Sequence, residues 1–419
     1  MDKIKISQYS EIGEIEAVVL HTPGPEVENM TPLNAERALY SDILNLSVVQ
    51  KEYSQLNCVL SKLTTCYYVT DLLKDILELE GVKEELVRQV CGNECIHELL
   101  DELLGMESKQ LAGQLIEGVP IRRDSLTGYM DPDNFSLGPL HNFFFTRDSS
   151  VALYDRILIP RMASKVRERE SIISQAIFEH HPLFEAPVIS AREKGTRDKG
   201  LHMEGGDIII AREDILLVGL GERSSSKGID FIIDHLKEKK DKRHVIVQEL
   251  PSRPESFIHL DMVFTMLDKD KCMVYEPLIL KPNRYETIHI ALDNGNVSSI
   301  SSVKNIPEVL KKLGMDIEPL YCGGRKDSVW QEREQWHSGA NFFAAGPGKV
   351  IGYARNAHTI EELNSYGFEV LRAKDINSGK TDPAVYDKFV ITIEGSELSR
   401  GGGGARCMTM PVNRKIVDW

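Results

Sequence analysis

Four separated clusters in this chain carry side chains that could do chemistry together. In the first, four consecutive glycines, Gly401 to Gly404, lead through Ala405 and Arg406 to Cys407. Such a run costs backbone entropy, so it is expected where the chain turns with positive φ or passes close to a ligand. Arg406 flanks the cysteine, and a neighbouring cation favours thiolate over thiol. The second cluster, Asn142-Phe143-Phe144-Phe145-Thr146-Arg147-Asp148, ends an aromatic run on a carboxylate, which suits a pocket floor better than a core. The third, His202-Met203-Glu204-Gly205-Gly206-Asp207, sets paired glycines between two carboxylates; they allow close backbone approach to a ligand, and a tight turn explains them equally well. In the fourth, Phe257 to Phe264, His259 and Asp261 share one face of an expected strand. A buried structural His–Asp pair is the plainer alternative there, as a loose tail with an incidental cysteine is for the glycine run.

Taken together, the clusters form a coherent chemical set. A cysteine with a histidine is a nucleophile with a proton carrier. Two of the carboxylates, matched to a planar, multiply donating cation, would bind a guanidinium bidentately. Glu204 is left to hold or shuttle a proton.

Bringing such distant residues together requires a large framework, and the chain supplies one. Glu14 to His21 reads as a buried strand closed by Thr22-Pro23-Gly24-Pro25. Helical spacing runs from Asn34 to Leu63, followed by a strand-like Thr65 to Val69. From Asp71 to about Gly118, apolar pairs recur at three- and four-residue steps among acidic residues, as in amphipathic helices. This stretch reads as a small helical bundle, residues 71–130, inserted into a main domain formed by residues 1–70 and 131–419. From residue 143 onward, short β-rich runs alternate with helical patterns, for example Val151–Leu153, Ile157–Ile159, Asp207–Ile210, Ile215–Val218, Cys272–Tyr275 and Phe389–Ile391. Strand pairs followed by a helix, repeated several times, point to a cyclic α/β array rather than a doubly wound sheet.

The bulk numbers bound the class. With 419 residues and 42% hydrophobic content, the chain has ample core. Its formal net charge of -14 argues against nucleic acid or an anionic membrane as a partner and mildly favours small cations. No run of about 18 apolar residues could span a membrane, and the first residues do not resemble a signal peptide. Seven irregularly spaced cysteines fit reduced cytoplasmic thiols rather than a disulfide framework. Cys91-x-x-x-Cys95-x-His97 lacks the second ligand pair that a structural metal site needs.

The motifs, in order, are Val19-Leu20-His21-Thr22-Pro23-Gly24-Pro25-Glu26, Phe145-Thr146-Arg147-Asp148, Glu204-Gly205-Gly206-Asp207, Gly221-Glu222-Arg223, His259-Leu260-Asp261, Arg333-Glu334-Gln335-Trp336, and Gly395-Ser396-Glu397-Leu398 through Cys407-Met408-Thr409. In this order they resemble the arginine deiminases, of the guanidino-group modifying superfamily, over nearly the full length. The resemblance implies a pentein-like fold, a five-unit pseudo-symmetric αβ propeller with a helical insertion. It also implies that Cys407 attacks the guanidinium carbon of L-arginine, that His259 protonates the departing ammonia and then activates water, that Asp148 and Asp261 clamp the guanidinium, and that Glu204 assists proton transfer. Arg167, Arg223 and Asn142 are implied as ligands of the substrate's amino-acid end, with Phe145, Leu39, Arg400 and Gly401 as further contacts. No metal or organic cofactor is implied, and homo-oligomers are common in the family. The chain departs from its pattern in places: Gly402 stands where an arginine is usual, Arg406 where a histidine is usual, Tyr40-Ser41-Asp42 where Phe-Asp-Asp is usual, and His337 where an aspartate follows Gln-Trp. Alternatives on the same scaffold are a hydrolase or dihydrolase acting on a modified arginine, agmatine or a related compound, and a non-catalytic arginine-binding relative.

Overall fold

The computed structural model describes residues 3–32, 40, 42–195 and 200–419, with the backbone alone at 194 and 195. Leu39, one of the expected substrate contacts, lies outside the described residues. The architecture is mixed α/β. Five of the sheets are built on the same trio, an antiparallel pair with a third strand laid parallel to its second member. The trios are Val151–Leu153, Arg156–Ile159 and Val188–Ser190; Ile208–Arg212, Ile215–Leu220 and Arg243–Glu249; and Phe264–Asp268, Lys271–Val274 and Glu318–Tyr321. The remaining two are Phe343–Gly346, Lys349–Tyr353 and Phe389–Ile393, and Met410–Arg414, Ile15–Leu20 and Thr65–Tyr68. The last trio joins the two ends of the described chain in one sheet.

Strands buried on both faces lose their polar alternation. Ile208–Arg212 and Ile215–Leu220 are buried almost throughout, and they read as continuous apolar runs. Asn296–Val303 is the opposite case. It is a serine-rich, exposed strand at one edge of its sheet, paired to Thr287–Asp293. Neither strand was expected; Asn296–Val303 in particular is an exposed edge with no apolar face for a periodicity to mark.

The helix Leu46–Leu63 starts at Asn45, whose side chain accepts from the Val48 N–H. The helices Val69–Ile76, Val82–Glu94, Leu100–Gly105 and Ser108–Glu117 bury leucine and valine stripes. They share one hydrophobic cluster with the helix Glu168–His180 and with Ile6, Ala17 and Val19 of the sheet region.

What positions the chemistry is the short segment entering the first strand of each trio. Asp148 precedes Val151, Glu204 precedes Ile208, Asp261 precedes Phe264, Asn341 precedes Phe343, and Cys407 precedes Met410. Backbone bonds stitch several of these segments together: Arg147 N–H donates to the Cys407 carbonyl at 3.1 Å and Gly205 N–H to the Asp148 carbonyl at 3.1 Å. The expected strand through His259 and Asp261 is not present. His259 is extended (φ -139°, ψ 160°) and Leu260–Met262 is a 3-10 turn, so the two residues meet the site by a turn rather than a shared pleat.

Candidate active site

Cys407, His259, Glu204, Asp148 and Asp261 are all buried, none more than 3% exposed. They come from four different loop segments and meet beneath a cavity of about 510 Å³, on whose wall Asp148, His259 and Cys407 appear directly. His259 Nε2 lies 3.0 Å from Glu204 Oε2, and its Nδ1 lies 3.8 Å from Asp148 Oδ1. Cys407 Sγ is 3.7 Å from Asp261 Oδ2, within reach for the thiol to donate to the carboxylate.

Glycines make this convergence possible by admitting protein groups. A Cβ on Gly206 would stand 2.5 Å from His259 Nδ1, and one on Gly404 would stand 2.6 Å from Asn341 Oδ1. A Cβ on Gly403 would run into the Phe145 ring, while Gly402 turns at φ +82°. The expected close approach is therefore to neighbouring side chains. Tyr353 pins the run by donating its hydroxyl to the Gly403 carbonyl at 2.9 Å.

The electrostatics follow from burial and pairing. Burial opposes charge on His259, yet Asp148, the Glu204 hydrogen bond and Asp207 push the imidazole up to about 9, so it carries a proton at neutral pH. Burial likewise opposes ionisation of Glu204, but Arg223, His259 and Arg167 hold its carboxyl well below the usual range. Burial, then Asp261 and Asp148, push the Cys407 thiol well above its ordinary value. The Gly404 N–H and Arg406 act in the opposite direction without prevailing. Arg406 thus contributes as expected but does not by itself make a thiolate. Its guanidinium turns to Asp261 Oδ2 at 2.8 Å and to both oxygens of Glu11 at 3.1 Å.

The other expected contacts divide. Asn142, Phe145, Arg167, Arg223, Arg400 and Gly401 all line the cavity. Arg167 is already engaged, at 2.9 Å from Asp148, 2.8 Å from Glu170 and 3.4 Å from Glu204. Arg223 Nη1 sits 3.4 Å from Glu204 Oε1. Arg400 pairs with Asp42 and, at 2.9 Å, with Glu397. Among the described residues, Asp148 Oδ1 and His259 Nδ1 have no hydrogen-bond partner although both are buried, and such groups call for one. Asp148, Glu204 and His259 also stand close enough for one cation to touch all three.

Several residues of this network were missed from the sequence. Glu11 holds Arg406, and Glu170 holds Arg167. Asn341 Nδ2 stands 3.2 Å from Cys407 Sγ. Nothing in their local pattern separates them from ordinary surface acids and amides. For Asn341, position ahead of a strand pair is a usable signal once Phe343–Gly346 is seen to be a strand.

The family model for arginine deiminase matches residues 36–414. The chain belongs to the arginine deiminase family. Arginine deiminase of Oenococcus oeni is 31% identical over 434 residues, covering 100% of this chain and 99% of that one. That of Bacillus cereus is 33% identical over 428 residues, covering 97% and 98%. Among solved structures, the product-bound N-terminal domain of ArgZ, a cyanobacterial arginine dihydrolase, superposes with a TM-score of 0.54 at 14% identity, over 97% of this chain and all (100%) of that one. The DDAH of Pseudomonas aeruginosa, a cysteine-to-serine mutant complexed with citrulline, gives 0.50 at 14% identity over 95% and 99%. At that identity the likeness is one of fold, and it is the mixed α/β fold described above. In this arginine deiminase family member, no helix among the described residues is long and apolar enough to cross a membrane.

Proposed function

We propose that this protein hydrolyses L-arginine to L-citrulline and ammonia. Family membership over nearly the whole chain supports the reaction. The observation that carries it at the site is the convergence of one thiol, one imidazole and three carboxylates on a single cavity. Asp148 and Asp261 flank the sulfur with acceptors suited to guanidinium nitrogens, and the bare Asp148 Oδ1 is an acceptor in need of such a donor.

The resting thiol and the protonated imidazole define the sequence of steps. A bound guanidinium sets positive charge beside Asp148 and Asp261, which offsets the two carboxylates that keep the proton on sulfur, and the thiol proton passes to solvent. Cys407 Sγ then attacks the guanidinium carbon, forming a C–S bond. His259 gives its proton to a nitrogen, the C–N bond breaks and ammonia leaves, so that an amidino-thioether remains. His259 next takes a proton from water, which adds to the same carbon. The C–S bond breaks, its electron pair returns to sulfur, the proton of the adduct's hydroxyl restores the Cys407 thiol, and citrulline departs. Glu204, hydrogen-bonded to His259 Nε2, orients the ring and stabilises its charged form. Orientation supplies much of the rate in such a site.

Arg167 and Arg223 are assigned to the substrate's carboxylate end, with Asn142, Phe145, Arg400 and Gly401 as the surrounding wall. For Arg167 the role requires release from Asp148 when substrate enters. The five trios are assigned as the five units of a propeller, each contributing one loop to its centre, and residues 71–130 as an insertion that shares the main core. A cytoplasmic homo-oligomer completes the reading by resemblance; light scattering tests the assembly. Turnover on a panel of arginine, agmatine, N-acylated arginine and citrulline tests the reaction. Citrulline and ammonia from arginine alone support it. Activity confined to the analogues, further hydrolysis of citrulline, or binding without turnover would each replace it.

A further inference from the structure

Asn341 enters the site from the fourth trio, the one trio to which none of the five chemical residues belongs. It is 1% exposed, and its side chain makes bonds on both ends. Oδ1 accepts from the Arg406 N–H at 2.9 Å and the Cys407 N–H at 3.3 Å. Backbone amides only donate, so these two bonds fix which end of the amide is oxygen. Nδ2 must therefore face the other way, and there it lies 3.2 Å from Cys407 Sγ and 3.2 Å from the Asp261 carbonyl. One N–H is thus aimed at the sulfur by a geometry that the nucleophile's own backbone enforces.

We propose that Asn341 is a catalytic residue, whose Nδ2 donor stabilises negative charge on Cys407 Sγ both when the thiolate forms and when sulfur is expelled from the tetrahedral adduct. The second of these roles rests on the hydrolytic reading above; the first does not. The groups facing the sulfur explain why a donor is needed. Asp261 at 3.7 Å and Asp148 disfavour the anion, the Tyr353 hydroxyl is spent on the Gly403 carbonyl, and Arg406 is turned to Glu11 and Asp261. Among the described residues, the Gly404 N–H and Asn341 remain to solvate the charge. A preorganised donor at a point where charge develops is among the larger contributions a site can make.

Two substitutions separate this role from a merely structural one. Asn341→Asp keeps an oxygen for the two backbone amides and removes the donor, while Asn341→Ala removes both. Alkylation of Cys407 by iodoacetamide, followed on the Cys407 peptide by mass spectrometry at pH 8 without substrate, reads the thiolate directly. Both variants are expected to alkylate about three- to tenfold more slowly than wild type, since thiolate fraction falls faster than nucleophilicity rises. In both, kcat is expected to fall about 100-fold, with KM changed by less than about threefold. Thermal unfolding should leave Asn341→Asp close to wild type and lower the Tm of Asn341→Ala. An unchanged alkylation rate in folded Asn341→Asp overturns the proposal, as does a loss of activity that follows only the unfolded fraction. Because alkylation needs no substrate, it still decides the donor's role if the wild-type protein fails to turn over arginine.

Discussion

At the residue scale, the site in its unliganded state holds a proton on both of its central groups. Burial and two carboxylates keep it on Cys407, while Asp148 and Glu204 keep it on His259. Substrate binding is then the event that frees the sulfur. At pH 7 in weak buffer, mixing with arginine should release about one proton per site from the wild type and none from Cys407→Ala; equal release from both would contradict activation by substrate. Cys407→Ala should also lower kcat by more than about 1000-fold, read as citrulline formed. His259 gives its proton to the leaving nitrogen, so its contribution is present below its raised value and lost above it. Since the free thiol holds its proton to a still higher pH, kcat/KM should climb with pH and stop climbing at about 9 rather than at the ordinary 6.5.

At the scale of elements, the glycine run is held at its start as well as at its end. The buried carboxylate of Glu52, in the helix Leu46–Leu63, accepts from the N–H groups of Ser396 at 2.8 Å, Glu397 at 3.0 Å and Leu398 at 2.9 Å. One helix side chain thereby satisfies three loop amides that would otherwise be left unpaired. Glu52→Gln replaces an acceptor pair with one acceptor and one donor, and should cost about 1–3 kcal/mol in chemical denaturation. Its effect on activity should appear in a looser loop, as a higher KM for arginine. At the other end, Gly404→Ala should impair turnover more than Gly402→Ala, because only the former drives a methyl into Asn341. The reverse order in kcat would mean that the conformation of the run matters more than its packing.

At the scale of the whole molecule, a buried ion chain ties the beginning of the protein to its far end. Glu11 pairs with Arg406, which pairs with Asp261, and Arg147 lies 3.8 Å from Glu11. Removing one member leaves a buried charge without its partner, so Glu11→Gln should destabilise by about 3 kcal/mol. Burial would raise the Glu11 carboxyl, but Arg406 and Arg147 hold it down at about 2, below the ordinary 4.5. A depressed carboxyl stabilises the fold above its unfolded value and loses that contribution as pH falls towards its folded one. The difference in Tm between wild type and Glu11→Gln should accordingly be full at pH 6 and shrink between 4.5 and about 2. A constant difference across that window would show that Glu11 acts by packing alone.

The sequence by itself determined the family, the α/β texture and which five residues deserved to be considered together. Each of those rests on local spacing or on motifs readable within a few residues of chain. It also marked the doubly buried strands, whose apolar runs need no knowledge of neighbours. Only the tertiary structure decided which partner each charged group takes. Arg406 looked like an activating cation beside Cys407, yet its guanidinium reaches across to Glu11 and Asp261. Arg167 looked like a free anchor, yet it meets Asp148, Glu170 and Glu204. The His259–Asp261 pair looked like one face of a strand and proved to be a turn. Asn341 offered no more than its place ahead of a strand, because its importance lies in facing a sulfur that is remote along the chain. Coulomb interactions and hydrogen bonds act through space, and a spacing along the chain carries no record of which groups the fold will bring within about 4 Å of each other.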